Sequence, residues 1–274
     1  MSRFSYIYSA SVTDKGLVRS VNEDSVFTLP ADGVFGVSDG MGGGEAGELA
    51  SAYVAEEINA ALSETAEESP GLRLTAIREA LLKAHGRIRA HARENSFDMM
   101  GATVALVAFD PWDATVAHIV HAGDSRVYRL RGGALERLTE DHTVGADIAR
   151  ATGSGVIADH KTSKLSHVLT RAVGTSDTFS PELTRISVEA GDVYLVCTDG
   201  ISTMLDDECL RTLLLSAETP ERATSLISEA VRTAGAVDNY STVICRIGGQ
   251  LPPPRTCGDE ELRESAYLEE RWER

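Results

Sequence analysis

Gly33-Val34-Phe35-Gly36-Val37-Ser38-Asp39-Gly40, written GVFGVSDG, is almost wholly apolar until it ends on a carboxylate and a glycine. Far down the chain VYLVCTDG, Val193 to Gly200, does the same. A short oily run bounded by turn residues reads as a strand buried in the core. The two runs therefore put Asp39 and Asp199 at the ends of two buried strands.

Further β-rich runs fall at about residues 5–12, 24–29, 102–109, 114–121, 125–130, 184–188 and 241–247. Helical patterns cover Gly44 to Ser63, Leu72 to Glu94, Asp206 to Ser216 and Glu221 to Ala234, with Pro70-Gly71 and Thr219-Pro220 as openings. Strands come in adjacent groups and helices in pairs, not in strict βαβα alternation. The expectation is α+β: two antiparallel sheets in a sandwich. Residues 143–167, with Gly153-Ser154-Gly155, read as an excursion that acts as a flap. A catalytic domain is expected over 1–250, with the Pro-led charged stretch 251–274 as a tail outside the core.

The 274 residues, 42% hydrophobic and 25% charged, suffice for one large domain or two small ones. No apolar run reaches membrane-span length, and MSRFSYIYSA lacks a signal pattern. A cytoplasmic protein is expected, without membrane attachment. Acidic residues outnumber basic ones by 42 to 26, a formal charge of −16, which argues against nucleic acid as a partner. Cys197, Cys209, Cys245 and Cys257 form no CxxC pair and are expected as reduced thiols.

Three readings compete at the first Asp-Gly. Gly36 to Gly40 matches G-x-S-x-G, the nucleophile elbow of acyl-hydrolases, but the last histidine is His167 and no later one follows a late acid. Gly42, Gly44 and Gly47 spell G-x-G-x-x-G, yet the element after the following helix is another helix, not a strand. The third reading starts from the carboxylates. Asp39 and Asp199 end strands, Asp238 precedes one in AVDNYSTVICRI, and Glu23 and Asp24 precede another in SVNEDSVFTL. Side by side, these strand ends collect carboxylates that repel one another unless protonated or bridged by cations. All-oxygen ligands select hard cations, Mg²⁺ or Mn²⁺. Each signal alone has an ordinary explanation: a turn at Asp-Gly, an Asx turn at Asp238-Asn239, a hairpin turn at Gly123-Asp124, a solvated charge at Arg19.

In order and combination, GLVRSVNEDS, VSDGMGGGEAGELAS, GATVALV, HAGDSRVYRL, LTEDHT, HVLTRAVG, VYLVCTDGIS and DNYSTVI resemble the bacterial type 2C, metal-dependent protein serine/threonine phosphatases. The resemblance covers about residues 5–248. It implies a four-layer α-β-β-α sandwich, helix pairs flanking the sheets, with a centre of two Mn²⁺ or Mg²⁺ ions between the sheets. Asp39 would bridge both ions, Gly40 would offer its carbonyl, Asp199 and Asp238 would hold one ion, and Glu23 and Asp24 would lie near the other. Asp124 would serve a third, weaker ion, and Arg19 would bind substrate phosphate. The implied reaction is attack of a metal-bridging hydroxide on phosphoserine or phosphothreonine of a protein substrate, reversing a Ser/Thr kinase. A monomer is expected. Where many relatives carry histidine, this chain has Met41 and Gly44, and Thr203 stands where an acidic or amide side chain is common. His121 is a conceivable proton donor, though a structural histidine is the plainer reading. The rival class is a regulatory binding module with degraded catalysis.

Overall fold

The computed structural model describes residues 3–65, 70–152 and 168–253. Along the chain run β1 (Ile7–Asp14), β2 (Asp24–Leu29), β3 (Val34–Met41), α1 (Glu45–Thr65), α2 (Pro70–Asn95), β4 (Gly101–Ala102), β5 (Val104–Phe109), β6 (Val116–Ala122), β7 (Arg126–Arg131) and β8 (Ala134–Arg137). Then follow α3 (Val144–Thr152), β9 (Glu182–Ser187), β10 (Val193–Cys197), α4 (Asp199–Ser202), α5 (Asp207–Ser216), α6 (Pro220–Thr233) and β11 (Tyr240–Ile247). Helix starts follow local chemistry. Asp206 accepts the Cys209 N–H at 2.8 Å before α5. Thr219 accepts that of Arg222 at 3.2 Å before α6, whose first residue is Pro220.

The strands form two sheets, ordered β1-β11-β10-β7-β8 and β2-β3-β5-β6-β9, with β4 added against β3. Every ladder is antiparallel. Three apolar cores separate four layers. One lies between the second sheet and the α1–α2 pair, around Ile58, Leu81, Ile88 and Leu106. The middle one joins the sheets through Phe35, Val37, Phe109, Tyr194, Val196 and Val243. The last packs Tyr128, Leu195 and Tyr240 under α5 and α6, with Leu210 and Ile227. This is the expected α-β-β-α sandwich.

Strand periodicity explains why the central runs read as unbroken apolar sequence. In β5, Val104, Leu106 and Ala108 enter the helix-side core, while Ala105, Val107 and Phe109 enter the inter-sheet core. Both faces are dry, so no polar alternation survives. In β3 the inter-sheet set is Phe35 and Val37, and the same period carries Asp39 to that face.

Four elements were not anticipated. β8 is a four-residue edge strand with little buried surface, and β4 and α4 are two and four residues long. Such pieces carry no readable period. The flap begins as helix α3, and its remainder, 153–167, lies outside the described residues. The proposed tail lies outside them from residue 254 onward. Cys197, Cys209 and Cys245 are free thiols. Among the described residues no helix is long and apolar enough to cross a membrane.

The sheets are joined by an edge-on aromatic relay. Phe35 meets Phe109 at 6.1 Å and 74°, and Phe109 meets Tyr194 of the opposite sheet at 5.5 Å and 80°. Phe109→Ala should lower the unfolding free energy by about 3–5 kcal/mol in denaturant titration. Phe109→Leu should cost clearly less.

Candidate metal centre

β2 and β3 pair with Asp24 directly opposite Asp39. On one face of an antiparallel pair, like charges so placed oppose each other. Both sit at the end of the inter-sheet layer, where the apolar filling stops. Asp199 opens α4 just beyond β10, and Asp238 lies just before β11. β10 and β11 are neighbours in the facing sheet, so the two runs of the opening motif meet across the sandwich. Asp124 sits in the β6–β7 turn, after Gly123 with φ +116°. Arg19, Glu23, Asp39, Gly40, Asp124, Asp199 and Asp238 line one cleft of about 830 Å³. Asp24 lies buried beside it.

The two Asp-Gly glycines share a cause. A Cβ on Gly40 would stand 1.9 Å from the Gly47 carbonyl oxygen, and a Cβ on Gly200 would stand 1.9 Å from that of Asn239. Each turn is pressed against a neighbouring backbone, which only glycine permits. Gly47 has the matching role, since a Cβ there would meet the Glu23 carboxylate at 2.6 Å. Of the G-x-G-x-x-G glycines, Gly42 and Gly47 accommodate close packing at the cleft while Gly44 faces open space, and among the described residues no strand stands between α1 and α2.

A web of buried hydroxyls holds the cluster. The Asp39 N–H donates to Thr103 Oγ1 at 2.9 Å, and the Thr103 N–H returns to the Asp39 carbonyl at 2.8 Å. Thr103 Oγ1 also lies 2.7 Å from Ser125 Oγ. Ser38 is fully buried and its hydroxyl donates to the Thr103 carbonyl at 2.7 Å, so it cannot serve as an exposed nucleophile. The Thr198 hydroxyl donates to Asp24 Oδ2 at 2.9 Å. Asn239 is the organiser that sequence reading passed over. Its Oδ1 accepts the Glu23 N–H at 2.9 Å, and its Nδ2 donates to the carbonyls of Lys15 (3.0 Å) and Val21 (2.9 Å). It fixes the loop that carries Arg19 and Glu23. Only an Asx turn at Asp238-Asn239 was legible; the contact found is one residue shorter, the Asn239 N–H donating to Asp238 Oδ1 at 2.8 Å. Arg19, a half-exposed side chain, donates to Asp238 Oδ2 at 2.7 Å.

Burial and mutual repulsion shift these acids together. Burial first, then Asp24, Asp199, Asp124 and Asp238, hold the Asp39 carboxyl well above the usual range. Burial, with Asp199 and Asp238 adding, pushes Asp24 up to about 7. Burial, then Asp199 and Asp141, pushes Asp124 up to about 8. Glu23 is raised mainly by burial. The carboxylates are also spread. Among the described residues the one acid–histidine triad with ligand atoms all within 4.8 Å is His121, His142 and Glu182, none of which lines the cleft.

That triad is a structural hub. His142 Nδ1 accepts the Gly123 N–H at 3.2 Å, so its protonated Nε2 faces Glu182 at 3.0 Å. Its own N–H donates to the Gly123 carbonyl and its carbonyl accepts from Thr170, tying the Asp124 turn to the segment that returns after the flap. His121 stacks on His142 at 4.6 Å and is almost fully buried, which pushes it down to about 3. Neutral and outside the cleft lining, it is badly placed to donate a proton to a substrate.

A family described as "Protein phosphatase 2C" matches residues 18–236. The chain belongs to the protein phosphatase 2C family. It is 35% identical over 243 residues to the serine/threonine protein phosphatase PstP of Mycobacterium tuberculosis, covering 87% of this chain and 44% of that protein. The chain thus spans less than half the length of that relative. With the serine/threonine phosphatase stp of Listeria monocytogenes it shares 30% identity, covering 85% of this chain and 92% of that one. Among solved structures it resembles PppA, described as a key regulatory component of T6SS in Pseudomonas aeruginosa, with TM-score 0.80, 32% identity and coverage of 89% and 99%. It also resembles the catalytic domain of PstP in complex with two manganese ions, with TM-score 0.73, 30% identity and coverage of 88% and 98%.

The donor set of this phosphatase 2C chain fits hard divalent cations. It is all oxygen, and Asp24 Oδ1 is buried with no hydrogen-bond partner among the described residues. A spread cluster suits ions that complete their shells with water, as Mg²⁺ and Mn²⁺ do.

Carboxyls whose folded pKa lies above the unfolded value stabilise the fold at low pH and lose that contribution as pH rises through the folded value. In EDTA the melting temperature should therefore fall between pH 5 and pH 8, through the range set by Asp24 and Asp124. Asp24→Asn should flatten that fall and raise the pH 8 melting temperature by roughly 5 °C. Mn²⁺ should restore the parent protein at pH 8, read by thermal melts.

Proposed function

We propose that the chain is an active protein phosphatase that hydrolyses phosphoserine and phosphothreonine in proteins, opposing a Ser/Thr kinase in the cytoplasm. The observation that carries this reading is convergence: acids from five separated segments meet at one cleft, with an arginine on its rim. Asp39 stands at the centre, since Asp24, Asp124, Asp199 and Asp238 all act on its charge. It would be the shared ligand of two ions, with Gly40 offering its carbonyl, Asp199 and Asp238 able to hold one ion, and Glu23 and Asp24 able to serve the other. Asp124, reached through the His142-held turn, is left for a third ion. Bound Mn²⁺ or Mg²⁺ would supply water acidified toward hydroxide and positive charge for the phosphoryl oxygens.

The protein's own part is positioning. Arg19 offers a planar fork to two phosphate oxygens, and its bond to Asp238 aims it at the cleft. Thr103, Ser125 and Thr198 hold the acids against their own repulsion. Among the described residues no histidine lines the cleft, and Met41 lines it instead. On this reading water would supply the proton for the departing alkoxide. Retention of the whole self-repelling cluster speaks against a purely regulatory module.

Turnover of a phosphothreonine peptide should require Mn²⁺ and disappear with EDTA or in Asp199→Asn. Arg19→Ala should lower kcat/KM roughly 10- to 100-fold, mostly through KM, the scale of a lost charged hydrogen bond. Mn²⁺ binding by calorimetry without turnover would overturn the enzyme reading. No Mn²⁺ binding at all would overturn the carboxylate argument itself.

A further inference from the structure

The cleft extends well past its acids. Its far half is built by the last turns of α2, the segment leading to β4, and the residues just after the flap. Ala92, Phe97, Met99, Val168 and Leu169 line it, so the wall turns from carboxylate to apolar within one cavity. Met99 is 60% exposed and Val168 46%. Phe97 is anchored beneath them on the α1–α2 core and stacks on His91 at 6.0 Å. Arg93 stands at the edge of the same shelf, exposed and with no side-chain hydrogen bond or ion pair among the described residues, although its charge is felt at Asp177. Its neighbour Arg89 is instead committed to Asp177 and the Ser176 carbonyl. An exposed guanidinium thus flanks the apolar wall.

We propose that this shelf is a substrate subsite. It receives a large apolar side chain adjacent to the phosphoresidue of a phosphopeptide, with Arg93 pairing to an acidic residue beyond it. The inference rests on the phosphatase reading and extends it to substrate class. Continuity supports it: a peptide whose phosphate is gripped by Arg19 must lay its flanking residues along the same cleft. Chemistry supports it too, because a methionine thioether adapts to varied apolar partners, and an exposed one gains by being covered. A small aryl phosphate fills only the acidic half and cannot use the shelf.

The test compares phosphothreonine peptides carrying Leu or Ser on each side of the phosphoresidue in turn, and Asp or Lys further out, against p-nitrophenyl phosphate. Parent enzyme should prefer Leu to Ser on one side by roughly tenfold in kcat/KM, the low end for losing an apolar contact. Met99→Ser should shrink that preference to about twofold and lower the ratio of peptide to aryl phosphate activity by the same factor. Arg93→Glu should reverse the preference for Asp over Lys. Leu215→Ser, an exposed apolar change on distant α5, should leave every ratio as in the parent, and thermal melts verify folding of each variant. No preference for Leu in the parent, or one that survives Met99→Ser intact, overturns the subsite. Parent enzyme inactive on p-nitrophenyl phosphate with Mn²⁺ strikes the phosphatase reading itself, and the subsite falls with it.

Discussion

Repulsion between Asp24 and Asp39, set opposite each other by the β2–β3 register, is the constraint around which the cleft is organised. Among the described residues neither acid has a cationic side chain in hydrogen-bonding contact. Asp24 instead receives the Thr198 hydroxyl on Oδ2, and its Oδ1 has no hydrogen-bond partner among those residues. Such an arrangement persists only if the surrounding fold over-determines it. Three dry cores and two antiparallel sheets supply that stiffness, so the apolar layers serve the site by holding like charges together. A cation bound there would relieve repulsion and satisfy the orphaned oxygen in one event, and would link metal affinity to folding stability.

Much of this was legible because the strongest signals were chemical and repeated. Two apolar runs ending in Asp-Gly, and one acid pair before a strand, are visible without knowing the fold. The inference that such acids must share cations needed only their convergence. Period-two burial could not be read from β3, β5 or β10, because both faces are dry and the alternation vanishes; length and bounding turns identified them instead. What stayed illegible was the support. Thr103, Ser125 and Thr198 are single polar residues next to apolar runs, and nothing local separates a hydroxyl that orders an acid from one that merely ends a strand. Asn239 is the sharper case. Its three-way clamp reaches residues more than two hundred positions away, a relation that exists only once β11 lies against β1.

The hub at His142 shows how the fold connects the cleft to its surroundings. One residue engages Gly123 through both backbone and ring, and Thr170 through its carbonyl. Thr143 and Leu169 bridge immediately beside it, so both ends of the flap are stitched to the turn that bears Asp124. A displacement at either flap end must strain hydrogen bonds that locate Asp124. Asp124 is thus the acid of the cluster whose turn is tied to both ends of the flap.

The same geometry bears on the missing histidine. Of the two positions where many relatives carry histidine, Gly44 has φ +57°, in the left-handed region where a side chain is rarely tolerated. Met41 belongs to the ladder with β4, opposite Gly101, so its backbone is fixed where it lines the cleft. An apolar residue thus stands in the same cleft as Phe97 and Met99. On the proposed reading, Met41 would leave the leaving-group proton to water and lengthen the apolar wall against which a peptide chain would lie.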